Sequence, residues 1–150
     1  MTFGILALIT AAATWMMAGV IWFVQLVHYP LFRMIEPGRF PIFEEQHQQR
    51  TTWLVAPLML AEAVGSISLL FVQQKMLTRS LLMAALLTLF LIWSATFFVQ
   101  IPLHERLRKH WSEKDHWRLL RTNWVRTIGW TIRAGIMLAI VLIWVASQIR

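Results

Sequence analysis

The chain has 150 residues, of which 58% are hydrophobic and 14% charged, with no cysteine and a formal net charge of +7. A soluble domain carries roughly 25% charged residues, so this composition points to lipid as the solvent; without cysteine there are no disulfides or thiolate metal sites. The positive charge sits mostly in short segments between apolar runs, the distribution that orients membrane proteins, and gives no sign of nucleic acid as a partner.

The first apolar run, 2–32, has no Lys, Arg, Asp or Glu. It is too long, and lacks the basic start, for a cleavable signal. A span needs about 20 apolar residues, which predicts a first helix over about 3–30 with Trp22, Gln25 and His28 near its end. A polar connection follows, in which Glu36, Pro37, Gly38 and Arg39 read as a turn, and which carries Glu44 and His47. The second span, about 51–74, holds a single charge, Glu62, and also Pro57, which is expected to kink it. A very short turn then makes a tight antiparallel hairpin with the third span, about 80–103, which ends in Gln100 and His104. A second polar connection leads to the fourth span, about 122–148, with Arg126 and Arg133 inside it. The expected fold is all-α, a single integral-membrane four-helix domain.

The two polar connections share one end of this bundle. That end holds Arg33, Arg39, Arg50, Arg106, Arg108, Lys109, Lys114, Arg118 and Arg121; the other holds Lys75, Arg79 and Arg150. The bias predicts that the polar end faces the cytoplasm and that both termini lie outside, in a bacterial cytoplasmic (inner) membrane. All five histidines also fall towards the polar end.

Two segments echo each other. Arg50, Thr51, Thr52 and Trp53 open the second span as Arg121, Thr122, Asn123 and Trp124 open the fourth, and the same offset sets Glu62 on Arg133. Gln25, His28 and Pro30 resemble Gln100, Pro102 and His104 at the ends of the first and third spans. This reads as two similar helical hairpins related by an axis along the membrane normal.

The polar residues form stripes. Asn123, Arg126, Trp130, Arg133 and Met137 alternate in steps of three and four, and so share one helix face. Trp93, Phe97, Gln100 and His104 do much the same on the third helix, and Val55, Met59 and Glu62 on the second. A charge at the centre of a membrane helix costs at least ~2.5–3.5 kcal/mol, so the stripes are expected to face one another around a cavity open to the polar end. Glu62 and Arg133 each lie eleven residues past their repeat threonine, roughly 16 Å in. Equal depth predicts that they pair. A structural pair, snorkelling of Arg126, and interhelical bonding by Gln25, Gln100 and Asn123 are the plain alternatives to function.

Two chemistries fit these residues. Glu44 and His47 are i,i+3 neighbours, the spacing by which helical bundles offer metal ligands. With His28, Glu62 and His104 they make three imidazoles and two carboxylates, a set that suits iron, copper, zinc or manganese better than calcium. Haem between His28 and His104 is a lesser option. The metal-free alternative uses Arg126 and Arg133 as fixed cations, His28 or His104 as general base, with Glu62 beside them, and Gln25, Gln100 and Asn123 to orient a substrate. A pocket opening sideways from the bundle suits a lipophilic small molecule such as a quinone-like aromatic or a lipid.

Gln100, Pro102, His104 and Leu107, followed by Asn123, Trp124, Arg126 and Thr127, resemble the end of helix 3 and the start of helix 4 in small bacterial four-helix membrane proteins related to anthrone oxygenases. In that group helix 3 tends to end in a Val-Pro-x-Asn motif, where this chain has His104. The resemblance implies oxidation of an activated aromatic carbon by molecular oxygen, with the substrate anion on Arg126 and a histidine as base. The leading expectation is therefore a small membrane oxidoreductase or oxygenase-like protein. The other readings are a non-enzymatic carrier, a subunit of a larger complex or a homo-oligomer, and a metal or haem sensor.

Overall fold

The structure, a computed structural model, describes residues 2–73 and 75–149. Gln74, the expected end of the second span, and Arg150, counted above among the basic residues, lie outside the described residues. Four helices are long and apolar enough to cross a membrane: α1 (Thr2–Met34), α2 (Phe40–Val72), α3 (Met76–Lys109) and α4 (Glu113–Ile149). There is no strand among the described residues, and the chain is an all-α bundle with the architecture of a multi-pass membrane protein. Each helix packs against its two neighbours in chain order, with α4 closing back on α1. The α2–α3 seam is the loosest of the four.

The helices extend beyond the expected spans. α2 starts at Phe40 and α4 at Glu113, while α3 continues to Lys109, so the connections shrink to 35–39 and 110–112. The polar segments are amphipathic rather than irregular: Phe40, Glu44 and His47 are buried on one face of α2, and His116, Leu119 and Asn123 on one face of α4. Pro41 lies in the first turn of α2, where its missing N–H breaks no bond. The expected turn before α2 is closed by bonds from the Arg39 and Phe40 N–H groups to the Glu36 carbonyl at 2.9 and 3.1 Å. α2 runs unbroken through Pro57.

α1 and α3 each contain one widened π turn, Val24–His28 and Thr96–Gln100. The residue after each turn donates five residues back, Tyr29 N–H to Val24 O and Ile101 N–H to Thr96 O, and a proline follows it directly. Proline has no N–H for the i−4 carbonyl and its ring crowds that carbonyl, so the preceding turn opens. The matching pair adds a backbone feature to the repeat read from the sequence.

α1 is the small-residue helix. Ala7, Thr10, Ala11, Thr14 and Ala18 are buried along it, which permits the close backbone approach that membrane helices use for packing. α1 comes close to α2 at Gly65, where an added Cβ would collide with Thr10 Oγ1. Thr10 cannot swing away freely, because its hydroxyl donates to the Leu6 carbonyl at 2.7 Å. Gly65→Ala is therefore expected to cost about 1–3 kcal/mol. Thermal unfolding in detergent, beside Gly65→Ala/Thr10→Ala, checks this: the second change should recover much of the loss.

Candidate functional site

Glu62 and Arg133, expected to pair from their depth, do so at 3.0 Å with both side chains fully buried. Arg133 also donates to Ala85 O and to Ser66 Oγ (2.7 Å), and the second Glu62 oxygen accepts from Trp130 Nε1 at 3.0 Å. This charged layer separates two apolar clusters, one around Met17, Phe32 and Leu107, the other around Leu69, Leu82 and Met137. Glu62, a candidate metal ligand and catalytic group by sequence, has both carboxylate oxygens taken up here, and Arg133, a candidate substrate cation, is held in the same layer.

The other candidates gather nearer the polar end. Glu44, at 0% exposure, meets His104 Nδ1 at 2.5 Å, and the other ring nitrogen of His104 meets the buried Tyr29 hydroxyl at 2.7 Å. With Glu44 ionised, Nδ1 donates to the carboxylate and Nε2 accepts from Tyr29. His28 Nε2 lies 2.9 Å from His47 Nδ1, which Thr51 Oγ1 also approaches at 3.2 Å. One ligand atom from each of Glu44, His47 and His104 lies within 4.8 Å of the others. His28 stands outside that group of three but touches it through His47. The second Glu44 oxygen is buried without a partner.

A third network runs from α1 to α4. Asn123 Nδ2 donates to Gln25 Oε1 at 2.9 Å, and Arg126 Nη1 donates to Asn123 Oδ1 at 3.1 Å. Gln25 Nε2 reaches the Leu120 carbonyl at 3.2 Å. The Arg126 guanidinium lies 5.5 Å from the centre of the Trp130 ring. Arg126 is 8% exposed and turns into the bundle rather than snorkelling outwards. Because Asn123 satisfies both neighbours, Asn123→Ala strands a buried acceptor on Gln25 and a donor on Arg126. The expected cost is about 1–3 kcal/mol, read as a lowered melting temperature in detergent.

The second and third groups meet at a cleft of about 400 Å³ between α2 and α3. Tyr29, His47, Gln100, His104 and Arg126 form its polar side, and Val55, Met59, Trp93 and Phe97 its apolar wall. It opens through the side of the bundle, past the exposed Leu60, Phe97 and Ile101. Lining residues therefore face both the histidine cluster and the surface that meets lipid.

Gln25 and Asn123 do not line the cleft; they set the position of Arg126, which does. Three contributors were not singled out by sequence. Tyr29 is the chain's one tyrosine, and nothing in its spacing separates it from an interfacial aromatic. Thr51 was visible only as part of the repeat. Trp130 lay on the α4 stripe, which was a signal for its buried contact with Glu62. No family model, curated protein or solved structure matches the chain.

Proposed function

We propose that the protein is a small membrane oxidoreductase that admits a lipophilic substrate from the bilayer into the α2–α3 cleft, beside a transition-metal centre on Glu44, His47 and His104. The observation that carries this reading is the convergence of those three side chains, within 4.8 Å, on the polar side of a cleft open to lipid. Two imidazoles and a carboxylate, with His28 adjacent, form a donor set suited to iron, copper, zinc or manganese, and the orphaned Glu44 oxygen gives a cation a buried anionic partner. When bound, such a metal supplies Lewis acidity or electron transfer. Arg126 holds an anionic oxygen of the substrate, the apolar wall excludes water, and Tyr29 fixes the His104 ring. The basic residues of the polar end favour its placement on the cytoplasmic side.

Elemental analysis of purified, folded protein tests the metal: about one transition metal per chain is expected, and none in folded protein sinks this form of the proposal. The completeness of the Glu44–His104–Tyr29 chain favours a second, metal-free form. There His104, polarised by Glu44, takes the Tyr29 hydroxyl proton as that oxygen removes a proton from an activated CH₂ carbon whose oxyanion rests on Arg126. Oxygen would then oxidise CH₂ to C=O, one oxygen atom entering the product and the other leaving as water with the two hydrogens. Substrate-dependent oxygen uptake by metal-free protein supports this form. Flux of the compound across proteoliposomes without turnover would instead support a carrier.

A further inference from the structure

The cleft offers hydrogen-bonding capacity that the chain leaves unused. Trp93 Nε1, Gln100 Oε1 and Arg126 Nε are buried without a partner, and all three residues line it. Buried polar atoms are nearly always satisfied, so three around one cavity mark where a ligand's polar atoms belong.

The orientation of Gln100 decides what kind of ligand this is. Its Nε2 donates to Thr122 Oγ1 at 2.9 Å, and the Thr122 hydroxyl donates in turn to the Arg118 carbonyl at 2.7 Å. Thr122 has spent its one proton, so it must accept from Gln100, and the amide cannot be flipped. Gln100 therefore presents its oxygen and needs a donor. Arg126 has Nη1 committed to Asn123, and its free Nε needs an acceptor. Gln100 and Arg126 are 1% and 8% exposed, so an unmet hydrogen bond at either is costly. A carboxylate, a phosphate diester or a quinone can only accept. A hydroxyl on an aromatic ring does both. The wall of Met59, Trp93 and Phe97 suits a flat apolar ring, and the lateral opening at Leu60 and Phe97 leaves room for a tail in the lipid.

We infer that the cleft binds a hydroxyl-bearing aromatic amphiphile of the quinol class. Its hydroxyl donates to Gln100 Oε1 and an oxygen accepts from Arg126 Nε, with its apolar tail leaving between α2 and α3. The inference rests on the reading of the cleft as the substrate site and is independent of the metal.

Calorimetric titration of the full chain in detergent, under nitrogen, tests it with four probes: reduced decylbenzoquinol, the corresponding quinone, the quinol dimethyl ether and dodecanoate. The quinol is expected to bind at least about tenfold more tightly than the other three, because they leave the Gln100 oxygen unpaired. Gln100→Leu should erase the preference for quinol over ether, and Gln100→Glu, which keeps an acceptor, should retain it. Equal affinity for quinol and ether in the unaltered protein overturns the inference, as does tightest binding of dodecanoate or no binding of any probe. The wild-type comparison stands even where a variant does not fold. Binding by metal-free protein would separate a failure of the metal centre from a failure of the cleft.

Discussion

Glu62→Gln is expected to be among the most destabilising single changes in the chain, and a second change should relieve it. The substitution removes the charge facing Arg133 while that guanidinium stays fully buried among Glu62, Ser66 and Ala85. Stranding one member of a buried pair costs about 3–5 kcal/mol, whereas replacing both by apolar groups of similar size is often neutral. Glu62→Gln/Arg133→Met should therefore be more stable than Glu62→Gln alone. Unfolding of the two variants and the parent in mixed micelles decides the point. Equal losses in the single and double variants would show that the layer does not act as a pair.

The second large effect concerns metal loading. His47→Ala and His104→Ala remove members of the convergent group, and each is expected to lower metal affinity by more than about a hundredfold, beyond the 10–100-fold typical of residues that only support a ligand. His28→Ala should fall within that supporting range, since His28 reaches the group through His47 at 2.9 Å. Metal content after dialysis against a graded chelator gives the ranking. Loss from His28→Ala as severe as from His104→Ala would move His28 into the ligand set. Full retention in both would remove the cluster as the metal site.

The fold was readable because lipid leaves so few alternatives: four long apolar runs and a charge-poor composition permit little besides spanning helices. The α4 stripe was equally plain, and Asn123, Arg126, Trp130, Arg133 and Met137 are all buried. Depth counted along two helices placed Glu62 level with Arg133. The grouping of Glu62 with the histidines as a metal ligand failed, because Arg133 and Trp130 take up both of its carboxylate oxygens deeper in the bundle. Other features were hidden for physical reasons. Glu44 and His47 lie on a helix that extends past its apolar run, and hydropathy cannot mark such an extension. The π turns depend on which carbonyl an amide reaches around a proline, and neither Pro30 nor Pro102 announces that choice. Tyr29 matters because one such turn leads into it and His104 happens to be opposite. The unused oxygen of Gln100 follows from which way a threonine proton points, a property of the assembled helices.

The ion pair also bears on how the two halves recognise each other. Glu62 and Arg133 fall at matching positions if the repeat read from the sequence holds, and they are in contact across the two hairpins. Two copies of the α1–α2 hairpin would bring glutamate against glutamate at that level, and two copies of α3–α4 arginine against arginine. Either match would bury like charges in a low-dielectric layer, at a cost that only the mixed combination avoids. Each half thus carries a discrimination against itself, and the short link around Gln73 and Lys75 need not be what enforces the match. Expressed as separate polypeptides, the hairpins would be expected to choose the unlike partner.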